Sequence, residues 1–88
     1  MKIKIVAVIW NDVFEYEEEN LDDENFELAP TLQTGLLYDE DDEKIRLIHA
    51  YSLNCDEHDF IVIPKSLIVK KILLGFFDTE TEEITIEK

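Results

Sequence analysis

Apolar and polar residues alternate in short runs along this chain, and the spacing predicts a protein built mainly of β-strands. In 2–9, Ile3, Ile5, Ala7 and Ile9 fall on one strand face; Lys2 and Lys4 begin the other before Val6 and Val8 make both faces apolar. That is a strand entering a core. In 31–38, Leu32, Leu36 and Tyr38 share a face, and Gly35 permits a bulge or a close backbone approach. The clearest alternation is 44–53, with Ile45, Leu47, Tyr51 and Leu53 at period two and Lys44, Arg46 and Ser52 opposite. His49 lies in register with the apolar set, which predicts a packed, hydrogen-bonded histidine. Asp39, Glu40, Asp41 and Asp42 form a natural turn between these two strands. Phe60, Ile61, Val62 and Ile63 make a fourth strand that Pro64 stops or marks as an edge, and 64–67 predicts a single helical or 3-10 turn. The run 68–74 reads as a fifth strand rather than an amphipathic helix because of its β-branched content, and Gly75 ends it. Beyond it, Ile84 and Ile86 around Thr85 allow a short marginal strand that orders on a partner.

The stretch 60–72 (Phe-Ile-Val-Ile-Pro-Lys-Ser-Leu-Ile-Val-Lys-Lys-Ile), together with Gly35-Leu36-Leu37 ahead of an acidic turn, resembles small SH3-like barrel proteins of the kind encoded by phages and mobile elements. The likeness covers 31–74. It implies a mostly β fold: a small SH3-like five-stranded barrel with an acidic insertion after the first strand and an acidic C-terminal tail. It also implies roles in protein or nucleic-acid interaction without a shared catalytic set. The expected organisation is one small domain over 1–77, including the insertion at 11–29, and an acidic tail at 78–88. That insertion is longer than a tight barrel loop, long enough to hold a helix packed on the barrel or to pair with the C-terminal tail.

Charge changes the functional picture. The 88 residues carry 22 acids against 8 Lys and Arg, a formal charge of −14, while the 45% apolar content is that of a folding chain. A domain of this size has little room for both a core and a large catalytic cleft. A charge of this sign repels a phosphate backbone, so no direct nucleic-acid binding is expected. The two glycines, Gly35 and Gly75, are too far apart to make a phosphate-cradling loop. Lysine and polar residues interrupt the apolar runs before they reach bilayer length, so no membrane association is expected. The start reads as a strand rather than a signal peptide, and with the single Cys55 this gives a cytoplasmic expectation.

Candidate chemistry is thin. The carboxylates at 39–43 could attract a hard cation but lack the spacing and central glycine of an EF-hand loop. Cys55 and His58 could approach a common metal, yet with His49 the only other histidine they make a poor zinc set. No catalytic residue, metal site or cofactor is therefore expected, and the protein reads as not an enzyme. Lys65, Lys70 and Lys71 form the sole basic patch, with no acid between Phe60 and Phe77.

What remains is the distribution of acids. Nine lie within 11–29 with no lysine or arginine among them, and five within 39–43; gathered on one face, they would offer a field comparable with that of duplex DNA at roughly one charge per 1.7 Å. Glu15, Glu17, Glu18, Glu19, Asp22, Asp23 and Glu24 would supply the field and Tyr16 and Phe26 the apolar anchors of a partner-binding surface. The sequence thus reads as a non-enzymatic interaction protein for a basic partner, such as a nucleic-acid-binding protein, acting as a nucleic-acid mimic or inhibitor. The alternative is a structural or assembly subunit of a phage or mobile-element particle, homo-oligomerising through an exposed strand edge or the tail at 84–86.

Overall fold

A computed structural model describes residues 1–13, 28–53 and 57–87. They form six strands and one 3-10 turn: β1 (Lys2–Val13), β2 (Leu28–Glu40), β3 (Lys44–Tyr51), β4 (His58–Pro64), the turn Lys65–Leu67, β5 (Ile68–Asp78) and β6 (Glu83–Ile86). All belong to one antiparallel sheet of order β4-β3-β2-β1-β5-β6. The fold is therefore mostly β, as the alternation predicts. Among the described residues the sheet is open, with β4 and β6 as its edges, where the sequence predicts a closed five-stranded barrel.

The sheet is nevertheless strongly coiled, and the connection after β4 shows why. In a flat sheet β4 and β5 would lie four strand spacings apart, about 19 Å. A 3-10 turn of three residues joins them, and such a turn rises only about 6 Å. The sheet must bend until the end of β4 meets the start of β5. That bend creates the core: Val6 and Val8 of β1, Ile45 and Leu47 of β3 and Ile63 of β4 form one buried cluster, with Trp10, Leu37, Ile61 and Ile68 packed against it. Ile45, Leu47, Ile63 and Val8 have no solvent exposure at all. On the opposite face Ala7 and Ile48 are also buried, so central strands are covered on both sides, as the Val6 to Val8 run anticipates.

Several local expectations hold. The tip at 41–43 turns β2 into β3, Pro64 ends an edge strand, and the 3-10 turn follows it. Gly35 lies where a Cβ would sit 2.9 Å from the Ile48 carbonyl oxygen and 3.1 Å from Leu47 Cβ, so its role is close approach of β2 to β3.

Others are corrected. In the β1–β2 register Val6 pairs with Gly35 and Val8 with Gln33, so the odd-numbered residues of β2, Leu37 among them, face the core, and Leu32 and Tyr38 are exposed rather than inward. A register irregularity between Ile48 and Ala50 shifts the alternation of β3, so Ile48 is buried and His49, expected to be packed, is exposed. Gly75 does not end β5, which continues to Asp78 as the pairing partner of β6. The strand at 84–86 pairs with β5 within the chain's own sheet. The nominal insertion contributes to the sheet as well: Asn11 to Val13 pair with Pro30 to Leu28 as an extension of the β1–β2 ladder beyond the last β1–β5 pair, Trp10 with Ile68.

Candidate interaction surface

The residues singled out as partner-binding, Glu15, Tyr16, Glu17, Glu18, Glu19, Asp22, Asp23, Glu24 and Phe26, lie outside the described residues, as does Cys55. What the structure places is where that segment attaches. It joins Val13 to Leu28, the paired last residues of the projecting β1–β2 ribbon.

The second acidic cluster, at the β2–β3 tip, is not an open field of charge. Arg46 grips Asp39 through a fork, Nε to Oδ1 at 2.6 Å and Nη2 to Oδ2, which holds the Asp39 carboxyl below its usual range. The Glu40 carboxylate is shared by Lys65 at 3.2 Å and Lys71 at 3.3 Å, and these two lysines lower its pKa. Asp41 Oδ1 accepts the backbone N–H of Glu43 at 2.8 Å and of Lys44 at 2.9 Å, and Lys44 Nζ adds an ion pair at 3.1 Å. The two backbone donors and the lysine push the Asp41 pKa down to about 2. Asp41 is thus the residue that closes this turn in the absence of an Asn-Gly signal.

These contacts also revise the basic patch. Lys65 and Lys71 are drawn onto Glu40, and of the three lysines only Lys70 has no ion-pair partner among the described residues. The long-range pairs bring β2, the 3-10 turn and β5 together at one end of the sheet. They follow from its coiling, since Glu40 and Lys71 are 31 residues apart in the chain.

A run of rings marks the opposite flank. Tyr38 meets Phe60 edge-on at 5.0 Å, Phe60 meets His58 at 6.5 Å, His58 stacks on Tyr51 at 4.3 Å, and Tyr51 meets Phe77 at 5.6 Å. Contact between Tyr51 of β3 and Phe77 of β5 again requires the bend. His58, weighed as a ligand partner of Cys55, is therefore held between aromatic rings, with its Nδ1 buried and unpaired. Among the described residues no three His, Cys, Asp or Glu side chains cluster as metal ligands, and no helix is long and apolar enough to cross a membrane.

The sequence reading missed the β5–β6 hairpin as a built structure. Asp78 Oδ1 accepts the N–H of Glu80 at 2.9 Å and of Thr81 at 3.3 Å, which lowers the Asp78 pKa, and the Glu82 N–H returns to the Asp78 carbonyl at 2.8 Å. Glu82 turns the chain with φ of 58°, in the left-handed region. Gly75 faces β6 so closely that a Cβ would collide with the Thr85 carbonyl oxygen and lie 3.0 Å from Ile86 Cα. Asp78 as a turn-closing side chain and Gly75 as a close-approach residue were the available signals. The chain matches no protein-family model, and the comparisons with curated proteins and solved structures found no match.

Proposed function

We propose that this chain is a non-enzymatic interaction protein that docks onto a basic surface of a partner, such as the nucleic-acid-binding face of another protein. The observation that carries the reading is the uneven neutralisation of charge. Lys44, Arg46, Lys65 and Lys71 pair with Asp41, Asp39 and Glu40, so these four cations offset all but one of the five acids at 39–43 and thirteen of the fourteen net charges lie elsewhere. In the sequence the remaining acids concentrate in the run at 15–24 and in 78–87. Fields of that kind steer association with a cationic groove and compete with nucleic acid for it.

The strand order from β4 through β5 and the 3-10 turn ahead of β5 support an SH3-like fold of the open, coiled kind, to which the acidic segment attaches between Val13 and Leu28. Such folds serve as scaffolds for interaction, and the reading here includes mimicry of nucleic acid and inhibition of its binder.

The test is affinity capture from host-cell lysate, with washes at low and high salt. Recovery of a basic nucleic-acid-binding protein that competing DNA displaces supports the proposal; recovery of only this chain or of particle components replaces it with an assembly role. Neutralising Glu15, Glu17, Glu18, Glu19, Asp22, Asp23 and Glu24 to their amides should slow association with that protein and flatten its salt dependence. Unchanged binding would refute the assignment to this run.

A further inference from the structure

We propose that the outer edge of β6 is a strand-addition site for an extended basic segment of another protein, one that alternates lysine or arginine with apolar residues. The inference rests on the basic-partner reading above and locates one contact within it.

Among the described residues the sheet order gives β6 pairing on its β5 side only. An unpaired edge is a template for another strand, and proteins commonly blunt it with proline, lysine or a bulge. The other edge is blunted in that way: β4 ends in Pro64, and its ladder with β3 is interrupted between Ile48 and Ala50. By contrast β6 pairs with β5 in continuous register from Glu83–Asp78 to Ile86–Gly75, contains no proline, and is anchored by the Asp78-closed turn.

The side-chain pattern of β6 states what would pair with it. Ile84 and Ile86 share one face at 63% and 61% exposure, while Glu83, Thr85 and Glu87 alternate onto the other. Directly across β5 from Glu83 stands Asp78, an acid, so the sheet itself supplies no cross-strand cation for Glu83. Among the described residues no cation lies within ion-pair distance of Glu82, Glu83 or Glu87. An incoming strand with period-two alternation places its cations opposite Glu83 and Glu87 and its apolar residues opposite Ile84 and Ile86.

A second copy of this chain fits poorly. The two-fold antiparallel register that matches both isoleucines, centred on Thr85, sets Glu83 of each copy against Glu87 of the other, and registers centred on Ile84 or Ile86 keep a single isoleucine pair. A one-residue slip sets isoleucine against glutamate. Like charges directly opposite one another are destabilising, so the acids disfavour the self-pairing register with the most apolar contact while leaving the edge open to a basic strand.

The test titrates the full-length chain with a short synthetic peptide alternating lysine and valine, followed by amide NMR. A block peptide of the same composition and an alternating glutamate–valine peptide serve as controls. The expected result is shift changes and slowed amide exchange along Glu83–Ile86 with the alternating basic peptide alone. The double reversal E83K/E87K, on exposed side chains, should weaken that binding about tenfold or more and admit the glutamate–valine peptide. Equal effects of the block peptide on β6, or indifference to the reversal, would overturn strand addition. Shifts confined to 14–27 would overturn the β6 site while sparing the basic-partner reading. Absence of binding to either basic peptide would overturn both, and self-association abolished by the reversal would replace the basic strand with a second copy.

Discussion

Replacing Gly75 with alanine should release β6 from the sheet while leaving the rest folded. The added Cβ would meet only backbone, the Thr85 carbonyl and Ile86 Cα, so no flexible side chain can move aside. Forcing a methyl into such a contact costs about 1–3 kcal/mol. What holds β6 is a four-pair ladder, hence about four hydrogen bonds worth ~1 kcal/mol each. Ile84 and Ile86 retain nearly two thirds of their exposure, so their burial adds only about 2 kcal/mol together. Ordering the strand's four residues costs about 6 kcal/mol. These contributions nearly cancel, and the strain from one methyl is enough to tip the balance. The buried cluster of Val6, Val8, Ile45, Leu47 and Ile63 contains no residue of β6. Amide exchange in G75A should therefore show lost protection at 83–86, with protection retained in β1 and β3. Protection of β6 equal to that of the parent chain, or cooperative unfolding of the whole sheet, would refute the argument.

Two further outcomes follow from the core and from the turn. Leu47→Ala removes a side chain with no solvent exposure and should cost about 2–5 kcal/mol in urea unfolding, against a total of roughly 4–13 kcal/mol expected for a chain of this length. The Asp41 carboxyl, held at about 2 by two backbone donors against its ordinary 3.8, should stabilise the β2–β3 turn fully above pH 4, and the effect should fade as pH falls from about 4 toward 2; NMR titration of the side chain and of the Glu43 and Lys44 amides measures this, and Asp41→Ala should abolish the pH dependence of those amides.

The strands that read clearly from sequence were those whose alternation is uninterrupted or whose ends carry proline. Pro64 announced both the edge and the 3-10 turn, and Lys44 to Leu47 kept strict period two. At His49 a bulge inverts the face assignment, because one extra residue reverses the side chains beyond it, while in β2 the alternation itself was read correctly and the wrong one of its two faces was taken as the inner one. Acid density hid the ends of β1 and β2, and Gly75 read as a stop when its bareness serves the approach of β6. The charge pairing was illegible for another reason. Glu40, Lys65 and Lys71 converge only after the sheet coils, and nothing local in the sequence links them. The run at 15–24 was singled out by composition, which specifies charge but not geometry.

The central place of β1 sets a timetable for making the protein. β1 is synthesised ahead of every other strand, yet it borders both β2 and β5, and Lys2 finds its partner Asp78 only after seventy-six more residues have been made. At about 5–20 residues per second that interval is roughly 4–15 s. The meander of β2, β3 and β4 has all its strands available earlier, while one side of β1 stays unpaired beside a run of β-branched residues. Lys2 and Lys4, marginal to the finished core, then flank the stretch most prone to pair with a neighbouring chain. Their charge is of most use on the nascent chain, before the fold that surrounds them exists.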